Sequence, residues 1–250
     1  MLFPLKRLTE EVDILDPSNK PLICIPVMGE DIEELEEELI NALEKRPDLL
    51  EWRADHLKDI KRDALLDAME LFHKHLKGID CIFTYRTVRE GGFGKEEDYL
   101  EILKAAADSG LFSYIDVEMR RDNLLVSDIV EHAHRNHIKV IASWHDFNHT
   151  PLDMELVRNG FYGEAIGGDI VKIAVMPLKD TDLSRLKKVS EDLSRNVDVP
   201  LIIIAMGEAG KISRLDPLSF NSCMTFATAG KASAPGQIHI DQLRSHINGA

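Results

Sequence analysis

A single-domain α/β fold, with eight parallel strands closed into a (β/α)8 TIM barrel, is predicted by three observations. Eight short apolar runs alternate with helical patterns from about residue 20 to the C-terminus. The runs are apolar almost throughout, which is typical of parallel strands that are covered on both faces. The 250 residues match the length of one such barrel, and no change of composition divides residues 1–250 into domains.

The eight predicted strands follow one another at short intervals. In chain order they are LICIPVM (22–28), DLLEWRA (48–54), DCIFTYR (80–86), FSYIDVEM (112–119), IKVIASWHD (138–146), DIVKIAVM (169–176), PLIIIAMG (200–207) and SCMTFAT (222–228). Strands that alternate with helices in this number favour a closed barrel over an open doubly wound sheet. Residues 1–19 precede the first strand, and we expect this N-terminal extension to cover the N-terminal end of the barrel.

Helices are predicted between the strands. Segments such as 31–46 and 182–196 carry apolar residues three and four positions apart, which indicates amphipathic helices. The connection after the seventh strand, KISRLDPLSFNS, is short and contains Pro217, so it gives the weakest helical pattern. The segment ATAGKASAPGQ (227–237) is rich in small residues and is expected to be a mobile loop.

Composition excludes several functional classes. The chain is 44% hydrophobic and 30% charged, with a formal net charge of −14 and no block of basic residues that would indicate nucleic-acid binding. No apolar run reaches the length of a membrane span, and the N-terminus lacks the apolar core of a signal peptide. Cys24, Cys81 and Cys223 lie in apolar runs and are expected to be buried free thiols. These features predict a cytoplasmic protein.

One predicted strand carries a lysine at its centre. In DIVKIAVMP (169–177), Lys172 is surrounded by apolar residues, where an ammonium group is costly to bury. The long side chain can extend to the surface, or a carboxylate can pair with it. Alternatively, a lysine that is neutral near pH 7 is a nucleophile toward ketones and aldehydes. The strand alone leaves these interpretations open.

Polar residues near the ends of the other strands favour the nucleophile. In a barrel of this kind the active site lies at the C-terminal ends of the strands. The polar residues predicted to meet there are Glu51, Arg53, Arg86, Glu90, Asp116, Glu118, His145, Lys172, Ser213, Arg214, Ser233 and Gln237. Each alone has a structural explanation, and Asp116 and Glu118 are assigned to pairing with neighbouring arginines. The common position of the set indicates a functional site.

Two other kinds of site are not supported. His132, His134 and His137 in EHAHRNH resemble metal-ligand spacing, but residues two apart on a helix face different directions. That segment also precedes a strand and belongs to the opposite end of the barrel. The glycine pairs at 91–92 and 167–168 do not follow the GxGxxG spacing of nucleotide-binding loops. No metal and no nucleotide is therefore predicted.

Six segments together resemble a known family. They are EWRADHL (51–57), TYRTVREGG (84–92), SWHDFNHTP (143–151), VKIAVMP (171–177), ISRL (212–215) and KASAPGQI (231–238). In this order they resemble the type I 3-dehydroquinate dehydratases, which are Schiff-base lyases of the shikimate pathway to aromatic amino acids. The resemblance implies dehydration of 3-dehydroquinate to 3-dehydroshikimate on a (β/α)8 barrel, without a metal or dissociable cofactor. It also implies a homodimer.

The resemblance implies a role for each matching residue. The Schiff-base lysine of the family falls on Lys172, the general acid/base histidine on His145 and the supporting glutamate on Glu90. The substrate-binding positions fall on Glu51, Arg53, Arg86, Arg214, Ser233 and Gln237. The chain departs from the family pattern at Pro26, where some members carry a serine, because proline offers neither a hydroxyl nor a backbone N–H.

These roles lead to specific expectations about the site. Burial and nearby arginines are expected to keep Lys172 neutral, and Glu51 is expected to steady Arg53 and Arg86. Arg214 is the candidate for a bidentate contact with the substrate carboxylate. The segment 227–237 is expected to close over the substrate ring.

Two alternative functions stay open on the sequence. Another class I Schiff-base barrel, such as an aldolase or transaldolase, also uses a lysine on a strand. Its substrates usually carry phosphate, and no glycine-rich phosphate-binding loop follows the seventh or eighth strand. A non-catalytic barrel that binds a small carboxylate is the second alternative, and it predicts loss of the lysine, the histidine or the glutamate.

Overall fold

The computed structural model describes residues 20–58, 60 and 62–249. The segment 1–19, predicted to cover one end of the barrel, lies outside the described residues, as do residues 59, 61 and 250. The assignment of residues 1–250 to a single domain therefore stays a prediction. In the described part of the chain, no helix is long and apolar enough to span a bilayer.

Eight parallel strands form the barrel, at the positions predicted from the apolar runs. They are β1 (Leu22–Val27), β2 (Leu49–Arg53), β3 (Asp80–Thr84), β4 (Tyr114–Glu118), β5 (Lys139–Asp146), β6 (Ile170–Val175), β7 (Leu201–Ala205) and β8 (Met224–Thr228). The order of hydrogen-bonded neighbours is β7-β6-β5-β4-β3-β2-β1-β8, and a two-residue strand β9 (Ile238–His239) pairs beside β8. The predicted barrel topology is confirmed.

The barrel closes between β7 and β8 through a short contact. Leu201 and Ser222 form a parallel bridge, and the N–H of Cys223 donates to the carbonyl of Leu201 at 2.9 Å. The Ser222 hydroxyl accepts a hydrogen bond from the N–H of Ile203 at 2.7 Å and donates to the carbonyl of that residue at 3.1 Å. The Ser222 side chain thus forms hydrogen bonds with the backbone groups of Ile203, which a longer ladder between β7 and β8 would otherwise pair.

Helices cover the outside of the barrel. They are α1 (Ile32–Glu44), α2 (Arg62–Leu76), α3 (Tyr99–Ser109), α4 (Asn123–Arg135), α5 (Asp153–Ala165), α6 (Asp180–Ser194), α7 (Ile212–Leu215) and α8 (Ile240–Gly249). Helix α7 is only four residues long, and a 3₁₀ turn that begins at Pro217 follows it. The short helical connection after β7 agrees with the weak pattern in the sequence.

Helix α1 shows how the sequence produces one of these elements. Its buried residues Leu35, Leu39 and Ala42 are three or four positions apart and form one apolar face. The Asp31 side chain accepts a hydrogen bond from the N–H of Glu34 at 2.9 Å and so caps the first turn. Loss of such a cap costs about 1 kcal/mol.

The interior of the barrel has an apolar floor with a polar layer above it. The floor includes the inward-facing residues Cys24, Leu49, Ile82, Tyr114, Ile141, Ile170, Ile202 and Met224. Because alternate residues of a strand face the same side, the next inward positions lie two residues further along each strand. Five of these positions are occupied by Glu51, Thr84, Asp116, Ser143 and Lys172, and all five are buried. The sequence alternation thus places polar chemistry in the C-terminal half of the barrel.

Candidate active site

A cavity opens above the polar layer at the C-terminal mouth of the barrel. The nine residues to which the resemblance gives a role all line this cavity: Glu51, Arg53, Arg86, Glu90, His145, Lys172, Arg214, Ser233 and Gln237. Asp116, Glu118 and Ser213, which were also predicted to meet at this mouth, are not among the lining residues. Three arginines and a lysine converge here in a chain whose net charge is −14. An anionic substrate would therefore meet local positive charge despite the unfavourable overall field.

Lys172 lies at the bottom of the cavity and does not extend to the surface. The residue is 5% exposed, and its Nζ lies 3.4 Å from Asp116 Oδ2 and 3.6 Å from Glu51 Oε1. The same nitrogen lies 4.5 Å from the centre of the Phe226 ring. The nearest charged neighbours of the amine are therefore two carboxylates and not the arginines that were expected to act on it.

His145 is held by Glu90. Glu90 Oε2 lies 3.0 Å from Nδ1 of the imidazole and accepts the backbone N–H of His145 at 3.1 Å. Arg86 donates to the same carboxylate oxygen at 3.2 Å. Because Nδ1 is engaged by Glu90, Nε2 is the ring nitrogen left to contact a substrate. The structure therefore places the two residues in the geometry that the predicted orienting role of Glu90 requires.

Burial shifts the pKa values of both Glu90 and His145. Burial raises the pKa of Glu90 to about 8, with Glu118 and Asp116 adding to the rise against the effect of Arg86. Burial lowers the pKa of His145 well below 6.5, and Arg86, Lys172 and Arg53 lower it further. Both shifts favour the uncharged forms of the carboxyl group and of the imidazole in the empty site. A neutral imidazole can accept a proton from a substrate at once.

The pH dependence of stability should report the proton on Glu90. Its pKa is about 8 in the folded protein and ordinarily 4.5, so between these values the folded state binds more protons than the unfolded state. Its contribution to the free energy of unfolding is therefore lost as the pH rises toward 8. His145 acts in the opposite sense, but only below its ordinary pKa of 6.5.

Between pH 6.5 and 8.5 we therefore expect Glu90 alone to lower the free energy of unfolding by about 1–2 kcal/mol. Urea unfolding across this range should show a decline in the wild type that Glu90→Gln reduces by that amount. Glu37→Gln, at an exposed position of α1, should keep the wild-type slope. Equal slopes in all three proteins would mean that Glu90 is already ionised in the folded state.

The arginines have partners other than the predicted one. Arg53 donates from Nε and Nη2 to both oxygens of Asp55, each at 2.8 Å. Arg86 contacts Asp116 at 2.7 Å and Glu118 at 3.4 Å. Among the described residues, Glu51 is not a hydrogen-bond or ion-pair partner of either guanidinium, although its charge, after that of Asp55, helps to raise the pKa of Arg53.

Glu51 instead accepts the hydroxyl proton of Thr84 at 2.8 Å. This contact arises because β2 and β3 are paired in register, with Glu51 opposite Ile82 and Thr84 two residues further along. Pro26 lies opposite Glu51 in the ladder between β1 and β2.

Arg214 carries a buried donor that lacks a protein partner. The residue is 2% exposed, and in the described residues no atom accepts a hydrogen bond from its Nε. Burial lowers the pKa of Arg214 to about 10, and Glu51 opposes the effect, so the guanidinium stays charged at neutral pH. A buried, charged donor without a partner is costly in an empty site. A substrate carboxylate would supply the missing acceptor with bidentate geometry.

Replacement of Arg214 by leucine should therefore weaken substrate binding. Loss of one or two charge-assisted hydrogen bonds, worth roughly 1.5–3 kcal/mol each, raises KM on the order of 100-fold with a smaller effect on kcat. Steady-state kinetics measure both constants. Arg158→Leu, which alters a side chain that is 71% exposed, is the matched control and should leave them unchanged. An unchanged KM in Arg214→Leu would remove the residue from substrate binding.

The segment after β8 lies across one side of the mouth. Ser233 N–H donates to Gln237 Oε1 at 2.6 Å, and Gln237 Nε2 donates to the Ser233 hydroxyl at 2.8 Å. The N–H of Gly207 donates to the carbonyl of Pro235 at 3.1 Å, which ties the segment to the end of β7. A Cβ on Gly236, whose φ is +79°, would lie 2.2 Å from the carbonyl oxygen of Gly207. Only glycine fits there, and closure of this segment over a substrate stays a prediction.

Several residues differ from the sequence prediction. Ser213 does not reach the mouth, because its hydroxyl accepts the N–H of Ala205 and lies 2.9 Å from the carbonyl of Gly210.

Phe147, Met206 and Phe226 line the cavity but were not predicted from the sequence to lie there. Phe226 could have been predicted from the alternation of inward- and outward-facing residues along β8, because it lies two positions after the inward-facing floor residue Met224. Phe147 and Met206 lie beyond the ends of β5 and β7, where alternation gives no signal.

The histidines of α4 point to different neighbours. His132 Nε2 lies 2.6 Å from Asp108, and His134 Nε2 lies 2.9 Å from Asp169. Within the described part of the chain, no three His, Cys, Asp or Glu side chains are grouped to hold a metal ion. Independence from metals and cofactors stays a prediction.

The fold and the cavity define a class: a (β/α)8 barrel with a buried lysine and a histidine–carboxyl pair in a positively lined site for a small molecule. The chain belongs to the type I 3-dehydroquinase family, whose model matches residues 23–248. It is 37% identical to the 3-dehydroquinate dehydratase of Listeria welshimeri over 227 residues, which cover 90% of each chain. It is 36% identical to that of Shouchella clausii over 233 residues, 92% of this chain and 91% of the relative.

Solved structures agree with this assignment. The crystal structure of 3-dehydroquinate dehydratase from Geobacillus kaustophilus superimposes with a TM-score of 0.89 at 34% identity, covering 92% of this chain and 91% of that chain. The type I enzyme from Clostridium difficile, with covalently modified comenic acid, has a TM-score of 0.86 at 32% identity and covers 93% of each chain. The family match selects the dehydratase among the functions that the sequence left open.

Proposed function

We propose that Lys172 is the residue through which this hydro-lyase forms a Schiff base with 3-dehydroquinate and removes water to give 3-dehydroshikimate. The reaction is the dehydration step of the shikimate pathway. The observation that carries the proposal is a lysine, 5% exposed, whose Nζ lies at the bottom of a cavity that is also lined by His145 and Arg214. A buried primary amine at the end of a barrel site is the group that condenses with a ring ketone.

The chemistry assigns one task to each reacting group. The ammonium group of Lys172 gives up a proton, and the neutral amine adds to the ketone carbon. The same proton returns as the carbonyl oxygen leaves as water, and a protonated imine remains. The imine withdraws electrons, so His145 can remove a proton from the adjacent carbon to give an enamine. The enamine expels the hydroxyl group of the next carbon, and His145 returns its proton to the departing oxygen. Hydrolysis of the imine frees the product and the amine.

The remaining residues bind and orient the ring. Arg214 holds the carboxylate through the donor that the protein leaves unpartnered. Arg53 and Arg86, fixed by their own carboxylate partners, contact ring hydroxyls together with Glu51. Ser233 and Gln237 contact the ring from the segment after β8 and limit the access of water.

Incubation with 3-dehydroquinate tests the reaction. We expect ultraviolet absorbance to rise as the conjugated product forms, and mass spectrometry to find a product lighter by one water. An aldolase would instead cleave a carbon–carbon bond of the ring and give an open-chain isomer of unchanged mass. A non-catalytic barrel would bind the compound and return it unchanged. Either of these results would contradict the proposed function.

The resemblance also supports a cytoplasmic homodimer as the working form. Light scattering on the purified protein should give the mass of two chains. A mass of one chain at micromolar concentration would contradict the dimer.

A further inference from the structure

Asp116 stands between the reacting nitrogen and the arginine network. This residue of β4 is 2% exposed, and its Oδ2 lies 3.4 Å from Lys172 Nζ. Its other oxygen, Oδ1, accepts from Arg86 Nη2 at 2.7 Å and from the Ser143 hydroxyl at 2.6 Å. Two donors thus fix the carboxylate from one side, and the lysine occupies the other side.

Asp116 differs in position from the other carboxylate beside the lysine. Glu51 lines the cavity, where a substrate can reach it, whereas Asp116 lies behind Lys172 and is not among the described residues that line the cavity. Asp116 can therefore act on a substrate only through the side chains that it contacts, of which Lys172 carries the reacting nitrogen. The sequence assigned Asp116 only to pairing with an arginine, which accounts for Oδ1 and leaves the contact of Oδ2 with Nζ unexplained.

We propose that Asp116 is the fixed counter-ion of the reacting nitrogen, and that it positions Nζ and stabilises the positive charge of the protonated imine during turnover. The inference rests on the proposed function and deepens it. Asp116 is a positioning residue in this scheme, because it does not line the cavity and acts on the reacting nitrogen through its contact with Lys172. The proton transfers are left to the Glu90–His145 pair, which is separately placed at the mouth.

The charge balance of imine formation explains why a fixed counter-ion is useful. An ammonium group and a ketone give a protonated imine and one water, so one positive charge is present on nitrogen before and after the step. The amine is neutral only in between, while it adds to the carbonyl carbon. A carboxylate that stays ionised throughout stabilises both charged states without taking up a proton.

Asp116 meets this requirement. Burial alone would raise its pKa, but Arg86 and Lys172 outweigh the effect and lower it, helped by the Ser143 hydroxyl. Among the described residues, other titratable groups that interact with Lys172 include Glu51 on β2, Cys24 on β1 and His145 on β5. Removal of the Asp116 charge would leave Glu51 as the nearest anion and Arg86 with one fewer partner.

The variant Asp116→Asn tests the proposal, since it keeps the shape and removes the charge. The readout is the rate at which borohydride traps the 3-dehydroquinate imine, measured by intact mass from pH 5 to about 9. We expect the pH of half-maximal trapping to fall by about one unit or more, because the ammonium loses its proton more easily without the carboxylate. We also expect kcat to fall on the order of 100-fold while KM changes less than about threefold.

Two further variants separate this role from a structural one. Ser143→Ala removes a neighbouring hydrogen bond to the same carboxylate without changing charge, and it should keep the wild-type midpoint. Asp116→Glu keeps the charge and should also keep the midpoint, which provides a test if the asparagine variant does not fold. An unchanged midpoint in folded Asp116→Asn, or a midpoint that falls equally in Asp116→Glu, would overturn the proposal. Absence of an adduct in the wild type would instead contradict the proposed function itself.

Discussion

Lys172→Ala is expected to lose dehydration activity by a factor on the order of 10⁴ or more. The variant has no amine to condense with the ketone, so the electron-withdrawing imine cannot form and only binding and acid–base groups remain. Product formation from 3-dehydroquinate, followed by ultraviolet absorbance, measures the loss. Since alanine removes the lysine cation from beside buried Asp116 and Glu51, thermal unfolding should also occur at a lower temperature.

A second substitution separates charge from nucleophilicity. Lys172→Arg keeps a cation near both carboxylates but offers a guanidinium that is not a nucleophile at neutral pH. It should be as inactive as the alanine variant. Lys74→Ala, at a side chain that is 66% exposed, is the matched control and should retain full activity. Activity within about tenfold of the wild type in either Lys172 variant would contradict covalent catalysis by this residue.

His145→Ala should form the imine and then turn over very slowly. The imidazole is assigned to the proton transfers that follow imine formation, and removal of such a group costs about 10²–10⁴-fold in kcat. Borohydride should therefore still attach a reduced ligand to Lys172 in this variant. Stopped reactions analysed by intact mass, together with steady-state kcat, measure both properties.

His149→Ala is the control for the histidine variant. Its side chain lies close by in sequence and is 55% exposed, so its loss should leave kcat unchanged. Wild-type kcat in His145→Ala would remove His145 from the proton transfers. Loss of both trapping and turnover would mean that the imidazole is needed earlier, to form the imine.

The site could be predicted from the sequence because residues at the same end of each strand of a parallel barrel lie close together in space. Leu49, Glu51 and Arg53 alternate along one strand and mark its inward face from the floor to the mouth. Once eight such strands are closed into a barrel, residues at their C-terminal ends must meet, however far apart they are in sequence. This rule needs only the strand positions, which the apolar runs supplied.

The pairing of Asp116 and Glu118 with arginines followed from the sequence, but the contact of Lys172 with two carboxylates did not. Asp116 and Lys172 are 56 residues apart, and their contact depends on how β4, β5 and β6 are staggered. The apolar runs locate the strands, but they do not set the register between neighbouring strands. A change of two residues in that register decides whether Lys172 lies beside an arginine or a carboxylate. The raised pKa of Glu90 depends on the same packing, because burial is the largest cause of the shift. Ser213 was misplaced because the residues around it form a short helical turn, where strand alternation does not apply.

Reduction of the enzyme–substrate mixture with borohydride, followed by peptide mass mapping, tests the role of Lys172 most directly. The chain contains other lysines, many of them exposed, so the position of the adduct is informative as well as its presence. We predict that 3-dehydroquinate and borohydride together add one reduced ligand to the peptide that contains Lys172, and that borohydride alone adds none. An adduct on a different lysine, or active enzyme that yields no adduct, would contradict the Schiff-base mechanism at Lys172.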